Sequence, residues 1–568
     1  MKKITFGTPE KIVPSSFCRK LTYIETEVEY NLNHFHFQIT PRGCVLEFPI
    51  QSNEQIYGFG LQLKGFNHTH RRLSLVACAD PHSYSGESPA PVPFFVTTKG
   101  YGMYFDTARN IDVTCGYTKK RIREPVSQNK VALTTEELYQ KDILNETTIM
   151  SIEIPVAKGI DVYIFEGDTI CDIISQYNIF SGGGAPVPEW GLGVLYRAYG
   201  KSSGEDILNL AKYFRENDIP CDIMGLEPGW QTSTYSCSYV WNEERFPNYR
   251  AVIKYLRENG FHINLWEHAF INASSPLYKE MYPYSGDSEV WKGIVPDFSL
   301  CEAQEIFAKY HREYLVADGI DGFKLDECDG GNSENSWSFP NCASFPGGMD
   351  GEQYHQMFGV LYMQTILKAL NGKETLSQVR NAGALSASYP FVLYCDLYDH
   401  KDFIRGVVSS GFAGVLWTPE LRHANSRKEL IRRLQTTVFS VQCLINAWYC
   451  EEVPWKKFNC EEEVRALLKI RESLVPMLKK AFDEYRKTGK PPVRALVCDY
   501  TDDQETYKID DEYIFCDNLI VAPLSFTSDT RRVYLPKGKW RDYWTKEEVS
   551  CGHFEITTEN IPVFEKIC

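Results

Sequence analysis

The sequence predicts an α/β protein with a central (β/α)8 TIM barrel, an N-terminal β-sandwich and a small C-terminal β domain. Short segments that alternate apolar and polar residues fill the chain up to about residue 180, a pattern typical of antiparallel sheets. Strand-like and helix-like segments then alternate over about 260 residues, the usual length of such a barrel. Strand-like segments return near the C-terminus.

The predicted N-terminal β-sandwich comprises residues 1–183. Segments such as 22–28 and 102–106 alternate apolar and polar side chains, so every second residue would face a core between two sheets. Residues 181–188 contain three glycines and two prolines, which interrupt any regular element. The sequence therefore places the first domain boundary in this segment.

The predicted barrel comprises residues 184–488. Its eight candidate strands lie at 191–196, 221–227, 262–266, 323–325, 376–381, 391–395, 413–417 and 444–448. Helical patterns separate most of them, and acidic or aromatic residues follow the C-terminal ends of most strands. In a parallel barrel these ends meet at one face, where the catalytic residues of such barrels lie.

The last predicted domain, residues 489–568, is sandwich-like. It follows an amphipathic helical pattern over 461–479 and contains strand candidates at 513–515, 518–523 and 532–536. The sequence contains no internal repeat and no low-complexity segment.

Charge and composition limit the classes of partner. The net charge is −15, whereas nucleic acids and anionic membranes are bound by clustered Lys and Arg. Neither partner is expected, and a small neutral ligand fits better. No apolar segment is long enough for a signal peptide or a membrane span, and the 18 cysteines lack metal-binding spacing. The sequence therefore predicts a cytoplasmic protein with reduced thiols.

Residues 318–331 contain the first catalytic candidate. Asp326 ends a short predicted strand, and Lys324 shares its face because side chains alternate along a strand. The simple alternative is that Asp326 caps the next helix or only pairs with Lys324. A second acid, Asp396, follows the apolar segment 391–395. Apolar surroundings would favour a protonated Asp396, whereas Lys324 would lower the pKa of Asp326.

Two carboxyl groups in such different surroundings suit glycoside hydrolysis. One carboxylate attacks or stabilises the anomeric carbon, and the other carboxyl group protonates the leaving oxygen. Residue type and position alone do not single out Asp326 and Asp396 among the many acids of the barrel. Each acid remains open to the alternative of a structural ion pair.

Ordered motifs throughout the chain narrow this choice. They are YGFG at 57–60, WKGIVPDF at 291–298, DGFKLDE at 321–327, the segment 380–396, NLIVAPL at 518–524, VYLPKGKWRDYW at 533–544 and IPVF at 561–564. In this order they resemble glycoside hydrolase family 31, the retaining α-glycosidases, over nearly the whole chain. The resemblance implies a double-displacement reaction that needs no metal or organic cofactor.

The resemblance also implies roles for particular residues. The nucleophile of the family corresponds to Asp326, its acid/base to Asp396 and its sugar-binding arginine to Arg380. Trp291 corresponds to a tryptophan that forms a wall for the sugar ring. Lys324 stands where many members carry Trp and where some, including α-xylosidase-like members, carry Lys.

Three departures from the family pattern bear on the identity of the sugar. Glu227 replaces the Asp that usually holds outer hydroxyls of glucose, residues 328–329 replace the usual Asn-Glu, and Asn446 aligns approximately with a late His. A carboxylate that is one methylene longer changes which hydroxyl epimer fits. Trp266 and His268, at the end of the third strand, complete the predicted substrate-binding residues.

The predicted function is that of a retaining exo-α-glycosidase acting on a small-molecule glycoside or oligosaccharide. An α-glucoside is the favoured substrate, and α-galactosidase, α-xylosidase and α-N-acetylgalactosaminidase activities of the same family are alternatives. An α-glucan lyase would use the same covalent intermediate but eliminate instead of adding water. A non-catalytic sugar-binding protein is disfavoured because both candidate acids, Asp326 and Asp396, are present.

Overall fold

The computed structural model describes residues 1–18, 21–22, 34–118, 148–332 and 337–567. Two five-stranded antiparallel sheets form its N-terminal part. In spatial order, the first sheet contains Lys2–Thr8, Lys158–Glu166, Tyr101–Asp106, Pro91–Thr97 and Ile56–Gly60. The second contains His36–Thr40, Gly43–Ile50, Thr148–Pro155, Ile111–Thr118 and Arg72–Leu75. Most of the predicted segment 22–28 lies outside the described residues.

The core of this sandwich forms because alternate residues of its strands are apolar. Buried and half-buried residues alternate along Thr148–Pro155, as expected for a strand with one face turned to a core. Its buried residues Met150 and Ile152 pack in one cluster with Val162 and Ile164 of the other sheet. Burial of these side chains between the sheets stabilises the sandwich.

A helix, Ile170–Phe180, leads from the sandwich to the barrel. The Thr169 hydroxyl oxygen accepts a hydrogen bond from the Asp172 backbone N–H at 3.1 Å, which caps the first turn. The Tyr177 ring stacks on Phe94 of the sandwich at a centroid distance of 4.0 Å. The inner face of the helix therefore joins the sandwich to the same apolar core as the barrel.

The barrel consists of eight short parallel strands. In chain order they are β1 Val194–Arg197, β2 Ile223–Leu226, β3 His262–His268, β4 Gly322–Asp326, β5 Ser377–Val379, β6 Phe391–Leu393, β7 Glu420–Leu421 and β8 Cys443–Asn446. Paired neighbours run in the order β6, β5, β4, β3, β2, β1, β8 and β7. A parallel bridge from Leu393 to Trp417 joins β6 to the segment before β7 and closes the ring.

Helices follow seven of the eight strands within the described chain. They are Gly204–Glu216 after β1, Tyr249–Glu258 after β2, Cys301–His311 after β3, Gly351–Leu370 after β4, His400–Ser410 after β6, Arg427–Val438 after β7 and Glu461–Thr488 after β8. Several begin at a polar residue whose side chain accepts a backbone N–H: Ser203, Asp350, Asp399 and Ser426. A hairpin, Ser285–Val290 with Gly293–Pro296, lies between β3 and its helix.

The predicted position of the seventh strand, 413–417, is wrong. Gly411–Ala413 forms a 3₁₀ turn, and only Trp417 of the predicted segment makes a strand-like bridge. The strand itself is Glu420–Leu421. The apolar character of 413–417 reflects burial rather than a strand, since the Trp417 ring packs at 5.8 Å against Phe403 of the preceding helix.

The C-terminal part is a small β domain. Its six-stranded sheet has the order Val493–Ala495, Tyr513–Phe515, Leu519–Val521, Val563–Lys566, Trp540–Asp542 and Glu548–Val549. A separate two-stranded antiparallel sheet pairs Thr530–Leu535 with Gly552–Thr557. Val533 and Leu535 of this small sheet pack against Phe564 and Trp540 of the larger one.

The predicted fold class, a TIM barrel between two β domains, is confirmed. The bounds 1–183, 184–488 and 489–568 stay predictions. Within the described ranges, every helix is too short or too polar to cross a membrane.

Candidate active site

The C-terminal ends of β3 and β4 bring the first site residues together. These strands are parallel neighbours, with Trp266 beside Lys324 and His268 beside Asp326. Alternation along β4 turns Lys324 and Asp326 to the same face, as the sequence predicts, and the Lys324 Nζ atom lies 3.8 Å from Asp326 Oδ2. The barrel interior at this end therefore contains a charged, buried centre.

Asp326 is buried and held from three sides. Its Oδ2 atom accepts a hydrogen bond from Trp266 Nε1 at 2.6 Å, and its Oδ1 atom accepts one from Arg380 Nη1 at 3.1 Å. Burial alone would raise the pKa of Asp326, but the charges of Lys324 and Arg380 outweigh it and lower the pKa. Asp326 is therefore an ionised carboxylate in a fixed orientation.

Asp396 follows β6 and lies opposite Asp326 across Arg380. Its Oδ2 atom accepts from Arg380 Nη1 at 2.8 Å, and its Oδ1 atom from Arg422 Nη2 at 3.3 Å. The side chain is 55% exposed. Burial of its surroundings favours the neutral acid, but Arg380 and Arg422 outweigh this effect and hold the pKa of Asp396 below its usual range.

The expected uncharged environment of Asp396 is therefore wrong. The preceding residues 391–395 are mostly apolar and buried, but two arginines from elsewhere in the chain contact the carboxyl group. Arg422 comes from the segment after β7 and Arg380 from the end of β5, so neither neighbour is visible in the sequence around Asp396.

The two carboxylates are close to each other. Asp326 Oδ1 and Asp396 Oδ2 both accept from the single nitrogen Arg380 Nη1, at 3.1 and 2.8 Å. The two oxygen atoms therefore lie no more than about 6 Å apart, which is compatible with the separation of about 5–5.5 Å between the carboxyl groups of retaining glycosidases.

Glu227, at the end of β2, is already paired inside the protein. Its carboxylate bonds Arg197 Nε and lies 3.2 Å from Lys324 Nζ, and only 2% of its side chain is exposed. The other Arg197 nitrogens donate to Asn264 Oδ1 and to the Leu226 carbonyl. Glu227 thus fixes Lys324 beneath Asp326, a role that the sequence does not predict.

Aromatic rings form one wall beside Asp326. Trp291, in the turn of the hairpin after β3, lies 5.3 Å from His268 and 4.9 Å from Tyr235 between ring centroids. Tyr235 also lies 5.6 Å from Trp266. Burial lowers the pKa of His268 to about 4, so this ring is neutral near pH 7.

Asn446, at the end of β8, joins the opposite side. Its Nδ2 atom donates to Glu420 Oε2 at 2.9 Å, and Glu420 forms an ion pair with Arg422. Arg422 also forms an ion pair with Asp396, which links Asn446 and Glu420 to that acid. Contacts therefore connect all the predicted site residues at one end of the barrel.

Two further acids, Glu327 and Asp329, lie within three residues after Asp326. Asp329 accepts from Arg380 Nε at 2.8 Å, and burial together with nearby acids raises its pKa to about 7. Burial and the charge of Asp326 raise the pKa of Glu327 to about 9. Asp329 belongs to the acidic cluster visible in the sequence, but the sequence does not indicate which acid stays protonated.

Unpaired polar atoms are concentrated around this centre. Six buried polar atoms of the site have no hydrogen-bond partner among the described residues: His268 Nε2, Glu327 Oε2, Asp329 Oδ1, Arg380 Nη2, Tyr394 OH and Asn446 Oδ1. His268 Nδ1 accepts from the Phe270 N–H, so Nε2 of the neutral ring is a donor. Buried polar groups normally have partners, and a ligand rich in hydroxyl groups could serve both the donors and the acceptors.

Several residues of the site were not predicted from the sequence. They are Arg197, Tyr235, Tyr394 and Arg422. Arg197 is the last residue of β1. A charged residue at the C-terminal end of a strand is the feature of the sequence that could have indicated it as a site residue. Tyr394 and Arg422 directly follow β6 and β7, and Tyr235 lies in the loop after β2. At these positions no pattern of local sequence separates a site residue from an ordinary loop residue.

A resident metal ion is not indicated by the described residues. Among them, no group of three or more His, Cys, Asp or Glu side chains is arranged to hold one. The predicted independence from cofactors stays a prediction.

Comparison with protein families gives three matches along the chain. The model of the glycosyl hydrolases family 31 TIM-barrel domain matches residues 184–481. The family 31 C-terminal domain matches 489–567, and the family 31 N-terminal galactose mutarotase-like domain matches 20–113.

Curated relatives are distant but cover much of the chain. Alpha-glucosidase 2 of Bacillus thermoamyloliquefaciens is 26% identical over 72% of this chain and 56% of its own length. An alpha-xylosidase of Saccharolobus solfataricus is 23% identical over 93% of this chain and 72% of its own length. The chain thus spans about half to three quarters of the length of these relatives.

Solved structures share the fold. A Flavobacterium johnsoniae GH31 dextranase complexed with glucose superposes with a TM-score of 0.78 at 20% identity, over 93% of this chain and 67% of that one. A GH31 alpha-xylosidase from a soil metagenome, complexed with xylose, gives 0.76 at 18% identity, over 93% of this chain and 81% of that one.

Proposed function

Because the chain belongs to glycosyl hydrolase family 31, we propose that it is a retaining exo-α-glycosidase that releases a terminal α-linked sugar from a glycoside or oligosaccharide. The observation that supports this most directly is the shared contact of Asp326 and Asp396 with Arg380 Nη1. This contact supports the proposal because it keeps two carboxyl groups close enough for a covalent double displacement.

In the first step Asp326 is the nucleophile. One of its oxygens forms a bond to the anomeric carbon, and the glycosidic bond breaks with its electron pair remaining on the leaving oxygen. Asp396 gives that oxygen a proton. Ionised Asp326, oriented by Trp266 and Arg380, is suited to attack without first losing a proton.

In the second step water replaces the leaving group. Asp396 takes a proton from the water, whose oxygen bonds to the anomeric carbon while the ester bond to Asp326 breaks. Because its pKa is lowered in the free protein, Asp396 is already ionised and can accept this proton. For the first step, sugar hydroxyls have to compete for Arg380 and Arg422 so that Asp396 can take up its proton.

We favour an α-glucoside as the substrate, with an α-xyloside as the second candidate. The buried Lys324–Glu227 ion pair supports the second candidate. Lys324 lies next to Asp326, and a pentose, which lacks the C6 arm, needs less room beside these long side chains. α-Galactoside and α-N-acetylgalactosaminide remain further alternatives. Glu227→Asp tests this position, since shortening the carboxylate should change the preferred sugar if the pair limits the pocket.

The reaction class can be tested with Asp326→Ala. Removal of the nucleophile should lower kcat on 4-nitrophenyl α-glycosides by at least about a thousandfold, with hydrolysis monitored for the glucoside, galactoside, xyloside and N-acetylgalactosaminide. The wild-type product should have the α configuration when it first appears by NMR. Near-normal activity in the variant, or a β product, would contradict the proposal.

The same product analysis separates the alternatives. A lyase would release an unsaturated or anhydro sugar and no free hexose, and a sugar-binding protein would bind glycosides without turnover. Cytoplasmic location is also part of the proposal, supported by the buried Cys221, Cys328 and Cys395, which are free thiols.

A further inference from the structure

Glu327 is an acid in the site to which the proposed reaction gives no task. It follows Asp326 directly and has a φ of 56°, a left-handed conformation that is rare for residues other than glycine. Because this backbone turn interrupts the alternation of β4, the side chain does not continue the strand pattern. Strained residues of this kind cluster at functional sites.

The carboxyl group of Glu327 lies between Asp326 and the aromatic wall. Its Oε1 atom is 3.5 Å from the Tyr235 hydroxyl, and its Oε2 atom is buried without a hydrogen-bond partner among the described residues. Tyr235 is 49% exposed, so the pair extends from the buried nucleophile towards the entrance. Because the Tyr235 hydroxyl contacts Glu327 Oε1, a ligand hydroxyl beside Tyr235 also lies near the Glu327 carboxyl group.

The charges around Glu327 keep it neutral. Burial and the carboxylate of Asp326 raise its pKa to about 9, Arg380 opposes them, and Asp329 and Asp396 add to the rise. The Tyr235 hydroxyl is also uncharged, because burial and the nearby carboxylate of Asp326 raise its pKa. At pH 7 a carboxyl group that can both donate and accept a hydrogen bond therefore faces the site.

We propose that Glu327 is a saccharide-binding residue: its carboxyl group, with the Tyr235 hydroxyl beside it, binds one sugar hydroxyl on the entrance side of Asp326. The unpaired Oε2 atom accepts from that hydroxyl, or donates to it when it carries the proton. The inference rests on the proposed function only in taking a saccharide as the ligand. It assigns Glu327 to binding and leaves proton transfer to Asp396.

The proposal makes opposite predictions for two substitutions. Glu327→Gln keeps a neutral group of the same shape that can donate and accept, whereas Glu327→Met keeps the length but cannot form the hydrogen bond. The probe is 4-thiomaltose, whose sulfur linkage resists hydrolysis, with the corresponding thio-linked α-xyloside as a second probe. Calorimetry gives Kd, and steady-state kinetics give kcat and KM on maltose or the matching xyloside.

We expect Glu327→Met to raise Kd and KM about tenfold with little change in kcat, the effect of one lost hydrogen bond to a buried group. Glu327→Gln should stay within about threefold of wild type. Wild-type affinity should fall above about pH 9, where Glu327 ionises beside three other acids, and this fall should be absent in Glu327→Gln. Tyr235→Phe should weaken binding in the same direction as Glu327→Met.

Glu258→Gln, on an exposed helix of the barrel, serves as the matched control, and thermal unfolding shows whether each variant folds. An unchanged Kd in both Glu327→Met and Tyr235→Phe overturns the proposal. A Glu327→Gln variant that binds normally but loses rate only on substrates with poor leaving groups also overturns it, because Glu327 would then be a proton donor. If no glycoside is hydrolysed but Glu327→Met still weakens probe binding, the proposed function fails and the binding role stands.

Discussion

At the scale of single residues, Arg380 determines the electrostatics of the site. Its guanidinium group contacts Asp326, Asp329 and Asp396 and is almost fully buried. A planar group with several fixed donors can serve more than one carboxylate. A lysine at this position could not hold the three acids in the same geometry.

Arg422 allows a direct test of the acid/base assignment. Because its guanidinium group lowers the pKa of Asp396, Arg422→Met should raise that pKa and move the alkaline limit of kcat/KM upwards by about one pH unit. The measurement is the pH profile for a substrate with a poor leaving group, with the exposed Lys480→Met as control. A limit that stays fixed or moves towards acid would argue against Asp396 as the proton donor.

Contacts within one strand could be predicted from the sequence, whereas contacts between strands could not. Alternation along one strand is a local rule, so the shared face of Lys324 and Asp326 could be predicted. The charged partners of Asp396 and Glu227 come from other parts of the barrel. The local sequence therefore predicts neither the lowered pKa of Asp396 nor the pairing of Glu227 inside the protein. The proposed acid/base role of Asp396 could be inferred from the family resemblance. Its charged surroundings could be described only from the fold.

At the scale of elements, buried ion pairs fix the register of the central strands. Asp321, just before β4, accepts from the Ile263 N–H of β3 at 3.0 Å and from Arg257 at 2.9 Å, and pairs with Lys373 at 2.9 Å. These contacts hold the beginning of β4 against β3 at the end of the barrel opposite the site. The orientation of Asp326 thus depends on an anchor several residues earlier in the same strand.

Asp321→Asn should lower the melting temperature, with a loss of about 1–3 kcal/mol expected for charged hydrogen bonds. Burial raises the pKa of Asp321, but His262 and Lys373 outweigh it and the pKa is lowered. The stabilising effect is therefore complete above the unfolded pKa near 4 and is lost as the pH falls towards the folded pKa. Thermal unfolding at pH 7 and at pH 3 checks this: the difference between wild type and variant should shrink at pH 3, and an increase would contradict it.

Among the elements, strand prediction succeeded where strands are bounded by distinct turns and failed at β7. That strand pairs over only two residues, so it leaves almost no periodic signal, while the neighbouring 413–417 is apolar for reasons of packing. Short strands of a closed barrel are defined by their neighbours more than by their own sequence.

At the scale of the whole molecule, the β-sandwich supports the site directly. Arg405 after β6 donates to the Leu63 carbonyl at 2.9 Å. Asn381, the residue after Arg380, donates from Nδ2 to the Pro89 carbonyl at 2.8 Å and accepts the Gly359 N–H at 3.1 Å. The sandwich is thus part of the framework that positions Arg380.

Asn381→Ala should lower kcat about tenfold although Asn381 touches neither Asp326 nor Asp396, because a small displacement of Arg380 disturbs both. The melting temperature should also fall, since a buried backbone carbonyl loses its donor. Asn381→Asp, which keeps the acceptor but not the donor, separates the two contacts. Unchanged kcat in both variants would show that the sandwich does not support Arg380.

The sharing of one arginine nitrogen by Asp326 and Asp396 has a consequence for the order of events. The negative charge of each carboxylate raises the pKa of the other. In the proposed reaction the ester bond removes the negative charge of Asp326, so Arg380 pairs with Asp396 alone. The pKa of Asp396 then falls further, which favours its anionic form. Formation of the ester at Asp326 in the first step would thus leave Asp396 as the anion that the second step uses. Arg380, which contacts both acids, couples the two events.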